Sequence, residues 1–239
     1  MSALGHYIEE EGIATVAIAL IRPQAERTRP PRALWVPFEL GRPFGPPNDP
    51  AFQNRVILAS LNLLESTAGP VLLTDFPDDD PREAPDESWR PPLARPEGGG
   101  VLADALTAEM KALAAFYARS CTERGRSTVG LSGLAPAAFG EYTAAWLRAP
   151  SSKDAPPSPV PDLSPILALR FAIDDLKAYT LEAAIAGGAR PSSRQLGDWL
   201  WTQTAAGAAI RALRQTLLAD EDERAKLIAS MFLVPALHV

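Results

Sequence analysis

Two apolar runs, IATVAIALI at residues 13–21 and ALWVPF at residues 33–38, decide the fold class of the first part of the chain. A short, nearly continuous apolar run between turn residues is typical of a strand that a parallel sheet buries on both faces. Residues 2–11 predict a helix, which Gly12 ends, and Pro37 places the second run at a sheet edge or a strand end. Helix and strand signals therefore alternate here.

The residues after these runs predict a further helix. Asp49 is a suitable N-cap and Pro50 a suitable first-turn residue, so the helix should begin at Pro50 and continue to about Glu65. The helical period predicts which residues of this helix face inward. They are Val56, Leu58 or Ala59, Leu61, Leu63 and Leu64. Residues 1–80 therefore predict a partial α/β, Rossmann-like unit, which is too short to be a complete sheet domain.

A change of composition separates this unit from the rest of the chain. Residues 81–100 are rich in proline, acidic side chains and glycine, and they predict a linker. Residues 101–239 predict an all-α bundle with helices over 101–123, 135–147 and 164–186, a long helix that Ser192 and Gln195 cap, and a turn or two over 225–233. A proline-rich loop at 150–165 interrupts them. The expected class is α+β overall.

Composition disfavours several kinds of function. The net charge is −6 and no basic block occurs, so neither nucleic acid nor a membrane surface is an expected partner. Apolar stretches are far too short to span a bilayer and the start has no basic segment before an apolar one, which predicts a cytoplasmic protein. One cysteine and two histidines cannot form a disulfide, a CxxC pair or a cysteine-rich metal cage, and they supply a zinc site or a Ser-His-Asp triad poorly. No metal site is predicted.

The segment from Pro31 to Pro50 carries a spaced motif, Gly41-x-Pro43-x-Gly45-x-Pro47, with Gln53 and a leucine-rich helix after it. This segment resembles the selenoprotein B family of glycine, sarcosine, betaine and D-proline reductases. The helix-glycine-strand junction EEEGIATV at residues 9–16 is also similar to that family, and the likeness covers about residues 4–77. It implies an oxidoreductase that cleaves a C–N bond reductively, with a thiolate or selenolate and a dithiol donor.

The resemblance also implies where the redox residue belongs. In the family a selenocysteine or cysteine motif comes just before the helix that here begins the chain, so we expect that residue upstream of Met1, at an in-frame UGA in the gene. No catalytic residue and no cofactor is then expected within this chain, which would not be active alone. The alternative interpretation is a non-catalytic interaction or regulatory subunit, whose helical domain binds a partner or a small molecule.

Ligands of open α/β sheets bind where the strands end at their carboxyl edge, and this rule selects a set of candidate residues. They are expected to bind a small anionic or zwitterionic molecule. The candidates are Arg22, Arg32, Glu39, Gly41, Arg42, Gly45, Asn48 and Gln53. In the competing interpretation, glycine and proline only fix a rigid connection and the charges are solvated.

The helical half offers weaker candidates. Cys121 has arginines nearby and is either a reactive thiol or a packed side chain. Aromatic residues at helical spacing favour a core over a pocket, and a charged set on one helix favours pairs four residues apart over a metal site. The aromatic residues are Trp146, Phe171, Tyr179, Trp199 and Trp201, and the charged set is Arg170, Asp174, Asp175, Lys177 and Glu182. An apolar strand without neighbours predicts either a homodimer or helices of the second domain that cover the sheet, and the resemblance implies a reductase-type protein partner.

Overall fold

The computed structural model describes residues 2–93 and 101–238, and it forms two compact units, Met1–Ala84 and Pro85–Val239. The class is α+β with helix predominating. Residues 81–84 of the predicted linker belong to the first unit and residues 85–93 to the second. The other residues of that linker, 94–100, lie outside the described residues.

The first unit alternates helices with three short parallel strands. Its elements are α1 (Ser2–Glu10), β1 (Ala17–Ala19), α2 (Arg22–Thr28), β2 (Arg32–Trp35), α3 (Pro50–Asn62), a 3-10 turn (Leu63–Glu65), β3 (Leu72–Asp75) and a second 3-10 turn (Pro81–Glu83). The strands lie in the order β1-β2-β3, with Ala17 opposite Ala33 and Arg32 opposite Leu72. Helix α2 connects β1 to β2, and α3 connects β2 to β3, as parallel pairing requires.

The structure corrects the interpretation of residues 13–21 as one strand buried on both faces. Only Ala17–Ala19 are in the strand, they are half-buried, and Ile13 is 62% exposed. The apolar run is misleading because β1 is an edge strand, paired on one side only. Helix α2 begins at Arg22, with Pro23 in its first turn. Neither α2 nor β3 was predicted from the sequence.

Three phenylalanines form the centre of the first unit's core. The rings of Phe38, Phe52 and Phe76 lie 5.6 to 5.9 Å apart, each tilted or edge-on to the others. Helix α3 begins at Pro50, as predicted, but it buries Phe52, Val56 and Ser60. Of the predicted inward positions, Leu61 is 47% exposed and was wrong, and of the alternatives Leu58 and Ala59 it is Ala59 that packs against this core, while Leu58 is 58% exposed. The buried face follows a spacing of four residues from Phe52.

All regular secondary structure in the described part of the second unit is helical. Its elements are α4 (Leu102–Arg124), α5 (Pro136–Arg148), a 3-10 turn (Ser152–Asp154), α6 (Pro165–Ala184), α7 (Ser193–Gln203), α8 (Ala205–Leu218), α9 (Glu223–Ile228), a π turn (Ala229–Leu233) and a final 3-10 turn (Ala236–His238). Helix α6 packs against α4, α5 and α8. No helix within 2–93 or 101–238 combines the length and apolar character needed to cross a membrane.

Local capping signals set two helix boundaries in this unit. Ser192 and Gln195 form the predicted capping box at the start of α7. The single long helix predicted after Ser192 is in fact two helices. The helix is interrupted at Thr204. The Thr204 hydroxyl accepts a hydrogen bond from the Gly207 N–H and so caps α8. A threonine cap is a weaker sequence signal than glycine or proline, which explains the missed boundary.

The aromatic side chains of the helical unit mostly lie in its core. Trp146, Trp199, Trp201 and Tyr179 are at most 3% exposed, and Trp89 packs edge-on against Trp199 with ring centroids 6.3 Å apart. The Trp89 indole N–H also donates to the Ala184 carbonyl at 3.1 Å. These contacts place the segment around Trp89 on the helical unit.

Candidate functional site

The carboxyl ends of the three strands meet around one arginine. Arg22 begins α2 just after β1, and its Nε lies 3.2 Å from Oδ1 of Asp75, the last residue of β3. Because β2 lies between those strands, the guanidinium passes over the end of the sheet, 5.9 Å from the centre of the Trp35 ring. Glu26, one turn further along α2, binds the same guanidinium. Arg22 therefore lies where the sequence placed it, at the edge at which parallel sheets bind ligands.

The loop after β2 is fixed by its own backbone. Gly41 and Gly45 have φ angles of +92° and +82°, and Asn48 has one of +61°. A side chain at Gly45 would collide with Phe52, because a β-carbon there would lie 2.6 Å from the ring. The side-chain amide of Gln53 donates to the Pro46 carbonyl at 2.9 Å. The spaced glycines of the motif thus let the loop close over the phenylalanine core.

A second cluster of charges lies on the outer part of this loop. Arg42 lies 3.7 Å from Glu39 and 3.8 Å from Glu83, which belongs to the 3-10 turn after β3. In that turn, Arg82 donates to the Pro47 carbonyl at 2.6 Å. The turn therefore connects the end of the first unit to the loop, and it fixes the position of Arg42.

The balance of charge at this edge is acidic. Arg22 contacts two carboxylates, Asp75 and Glu26, and Arg42 contacts two more. Each cluster carries a formal charge of −1, so neither arginine offers an uncompensated positive charge to an anion. A ligand with a positively charged nitrogen suits this edge better, provided that any carboxylate it carries meets one of the two guanidinium groups.

Sequence reasoning missed two acidic residues at this edge. Asp75 was not among the predicted site residues, because β3 was not recognised as a strand. Asp80 is 2% exposed, and its Oδ1 accepts a hydrogen bond from the Arg82 N–H at 2.9 Å. Its Oδ2 is buried and has no hydrogen-bond partner among the described residues. A buried carboxylate oxygen without a donor is costly, and it is a candidate acceptor for a ligand N–H group.

Arg32 lies at the opposite edge of the sheet from the other candidates. It is the first residue of β2, and its Nη1 donates to Oε1 of Glu9 on α1 at 2.6 Å. The same oxygen accepts from the Thr15 N–H at 2.8 Å. Burial opposes ionisation of Glu9, but the bonds from Thr15 and Arg32 outweigh it and hold the pKa of Glu9 below its usual value. Arg32 therefore joins α1 to the sheet and lies outside the candidate site.

The charged set on α6 fixes a neighbouring loop. Asp175 is 1% exposed and accepts hydrogen bonds from the N–H groups of Gly130, Leu131 and Ser132 at 2.8 to 2.9 Å. One residue pair of the predicted type is present as well, since Arg170 lies 4.0 Å from Asp174. No group of three His, Cys, Asp or Glu within the described ranges is arranged to hold a metal ion.

Glu182 holds the same loop two turns further along α6. Its Oε1 accepts from both the N–H and the hydroxyl of Thr128 at 2.7 Å, and its Oε2 accepts from the Ser127 hydroxyl at 2.8 Å. Burial raises the pKa of Glu182, but these bonds and Arg124 outweigh it, so the pKa is lowered. The carboxylates of α6 thus serve as anchors for the loop, which the sequence did not predict.

Cys121 is half-buried on α4. Its neighbour Tyr117 packs against Tyr179 in a tilted arrangement with ring centroids 4.5 Å apart, and the Tyr117 hydroxyl lies 3.0 Å from that of Ser127. Burial raises the pKa of Tyr117, and its contact with Cys121 raises it further. The thiol therefore adjoins a tyrosine that stays protonated at neutral pH.

The chain combines a parallel βαβαβ unit, with polar and acidic side chains at its carboxyl edge, and a separate helical unit. Comparison with family models, with curated proteins and with solved structures found no match.

Proposed function

We propose that the first unit binds a small zwitterionic amine at the carboxyl edge of its sheet and is the substrate-side part of a Rossmann-like reductase unit of the selenoprotein B type. The observation that carries the proposal is the Arg22–Asp75 pair, which brings opposite charges together over the end of β2. A zwitterion can place its carboxylate against the guanidinium and its nitrogen against the carboxylate.

The loop after β2 supports the same site. The glycine and proline residues that carry the resemblance to selenoprotein B form a rigid wall beside this edge, since Gly45 packs on Phe52 and Gln53 holds the Pro46 carbonyl. Arg42 and its two carboxylates offer a second pair of opposite charges on that wall. A rigid wall with paired charges fits a compact, charged substrate better than a large apolar one.

The proposed reaction is reductive cleavage of the bond between carbon and the amine nitrogen. A dithiol gives two electrons and two protons and becomes a disulfide, while the substrate becomes a free amine and a carbon bearing a new C–H bond. The nucleophile would be a thiolate or selenolate that the first unit does not supply, since Cys121 belongs to the second unit. In this proposal the 239 residues bind the substrate and do not reduce it alone.

Ligand binding tests the first part of the proposal. We would titrate the isotope-labelled chain with betaine, glycine and acetate, and follow backbone amide shifts by NMR. Betaine and glycine should shift the amides around Arg22 and Asp75, whereas acetate should not. Arg22→Gln and Asp75→Asn should each weaken binding about tenfold, equivalent to ~1.4 kcal/mol. Arg32→Gln is the matched control at the opposite edge.

An absence of shifts, or shifts centred on Arg32, would exclude this site. The reductase part has its own assay, in which a chain extended upstream through an in-frame UGA or cysteine codon receives betaine and dithiothreitol. Release of trimethylamine is expected, and it should fall in the Arg22→Gln variant. If the extended chain releases no amine, the interpretation as an interaction subunit is favoured instead.

A further inference from the structure

The helical unit contains a cavity that the proposed reductase chemistry does not use. It lies between α4 and α5, has a volume of about 280 Å³, and is mostly apolar. The lining residues that define its shape and charge are Met110, Lys111, Ala137, Gly140, Glu141 and Tyr179. Both helices and the α6 residue Tyr179 thus contribute to its walls.

A glycine and a tyrosine shape this cavity. A β-carbon at Gly140 would lie 2.1 Å from the sulfur of Met110, so the Met110 side chain packs directly on this glycine. The Tyr179 hydroxyl donates to the Met110 carbonyl at 2.8 Å. Burial raises the pKa of Tyr179 to about 12. Its polar group is therefore satisfied within the protein, and the ring is an apolar wall of the cavity.

The mouth of the cavity carries one charge of each sign. A second recess, of about 410 Å³, adjoins it and shares Thr107, Lys111 and Glu141 with it. Asp104 and Arg148, on the far side of that recess, neutralise each other at 2.7 Å. Lys111 and Glu141 have no such partner, since neither forms an ion pair with any residue in 2–93 or 101–238.

We propose that this cavity binds a free α-amino acid with a bulky apolar side chain. The side chain occupies the cavity, the carboxylate meets Lys111, and the ammonium group meets Glu141. A volume near 280 Å³ is at the small end for ligand sites and suits a molecule of about nine to twelve non-hydrogen atoms, such as leucine or phenylalanine.

The two charges at the mouth select against simpler amphipathic ligands. A fatty acid would bring its carboxylate close to Glu141, and an alkylamine would bring its ammonium group close to Lys111. Only a ligand with both charges satisfies both side chains, and like-charge contacts at a binding site reduce affinity. The apolar walls in turn disfavour glycine, which has no side chain to bury.

Isothermal titration calorimetry on the full chain tests this inference. L-Phenylalanine and L-leucine should bind, whereas glycine, 3-phenylpropionate and phenethylamine should bind at least about tenfold more weakly. Lys111→Gln and Glu141→Gln should each lower the affinity for phenylalanine by about tenfold. Both side chains are exposed, so these substitutions should leave the fold intact.

Two alanine-to-leucine substitutions distinguish loss of the cavity from loss of the fold. Ala137 and Ala138 are neighbouring exposed residues of α5, and only Ala137 lines the cavity. Ala137→Leu should abolish phenylalanine binding, and Ala138→Leu should preserve it, with both variants unfolding at the temperature of the parent chain. The inference is overturned if phenylalanine does not bind, if 3-phenylpropionate binds equally well, or if Ala137→Leu binds normally. Arg22→Gln should leave phenylalanine binding unchanged, so this test is independent of the proposed reductase site.

Discussion

Removing the Asp175 carboxylate should destabilise the helical unit more than any exposed charge on α6 can. Asp175→Ala deletes the acceptor for three consecutive backbone N–H groups, those of Gly130, Leu131 and Ser132, and for the Ser132 hydroxyl. The residues Gly130 and Leu131 are exposed, so water can replace the carboxylate there at a cost of about 1 kcal/mol each.

The cost at Ser132 is larger because that residue is 4% exposed. Its N–H and hydroxyl would lose a charged partner in a buried place, where each unsatisfied group costs roughly 1–3 kcal/mol. The total expected loss in the free energy of unfolding is therefore about 4–8 kcal/mol. Asp175→Asn keeps one acceptor oxygen and should fall between the parent chain and Asp175→Ala.

Urea unfolding followed by tryptophan fluorescence measures this loss. Of the five tryptophans only Trp35 lies in the first unit, so the signal reports mainly on the helical unit. The matched control is Asp174→Ala on the same helix, where the carboxylate is 28% exposed and lies 2.8 Å from Lys177. This control should lose less than ~1 kcal/mol. An Asp175→Ala variant within 1 kcal/mol of Asp174→Ala would refute the reasoning.

Two further changes test other parts of the structure. Gly45→Ala should lower the stability of the first unit by at least ~2 kcal/mol, since it adds a clash with Phe52 to backbone strain. The control is Gly41→Ala, whose added β-carbon meets no atom within 4 Å and which should cost only backbone strain of about 1 kcal/mol. Hydrogen exchange of the β2 amides measures the stability of both variants, and equal losses of stability in the two would contradict the clash. The folded pKa of Glu182 is below its usual 4.5, so its stabilising effect is present above about pH 4.5 and disappears as the pH falls through the folded pKa. The difference in unfolding free energy between the parent chain and Glu182→Gln should therefore be constant above ~pH 5 and shrink below pH 4.5, and a difference that grows in acid would contradict this assignment.

Elements with local signals could be predicted from the sequence. The start of α3 follows from Asp49 and Pro50, and the start of α7 follows from Ser192 and Gln195, because caps act within a single turn. The position of Arg22 at the carboxyl edge also follows from the order of apolar run and polar residue. These features depend on neighbours in the chain.

Features that depend on distant residues were missed. The pairing of Arg22 with Asp75 requires β3, a four-residue strand with little apolar periodicity, and β3 in turn depends on β2 for its hydrogen bonds. In the sequence, Asp175 is indistinguishable from a solvated residue of a helix. The residues that it binds lie more than forty positions away along the chain. Burial of a charge is a tertiary property, and no local pattern encodes it.

The two anchors on α6 have a consequence for how this protein can vary. Asp175 and Glu182 are about 10 Å apart along the helix, and the chain between their partners, Gly130 and Thr128, spans at most about 7 Å when extended. The two carboxylates accept four hydrogen bonds from backbone N–H groups, which every residue except proline supplies, and three from the hydroxyls of Ser127, Thr128 and Ser132, so residue identity in this stretch is restricted at those three positions. Its length is not free, because one inserted or deleted residue would detach an anchor. Selection on this part of the fold therefore acts on residue count as well as on residue identity.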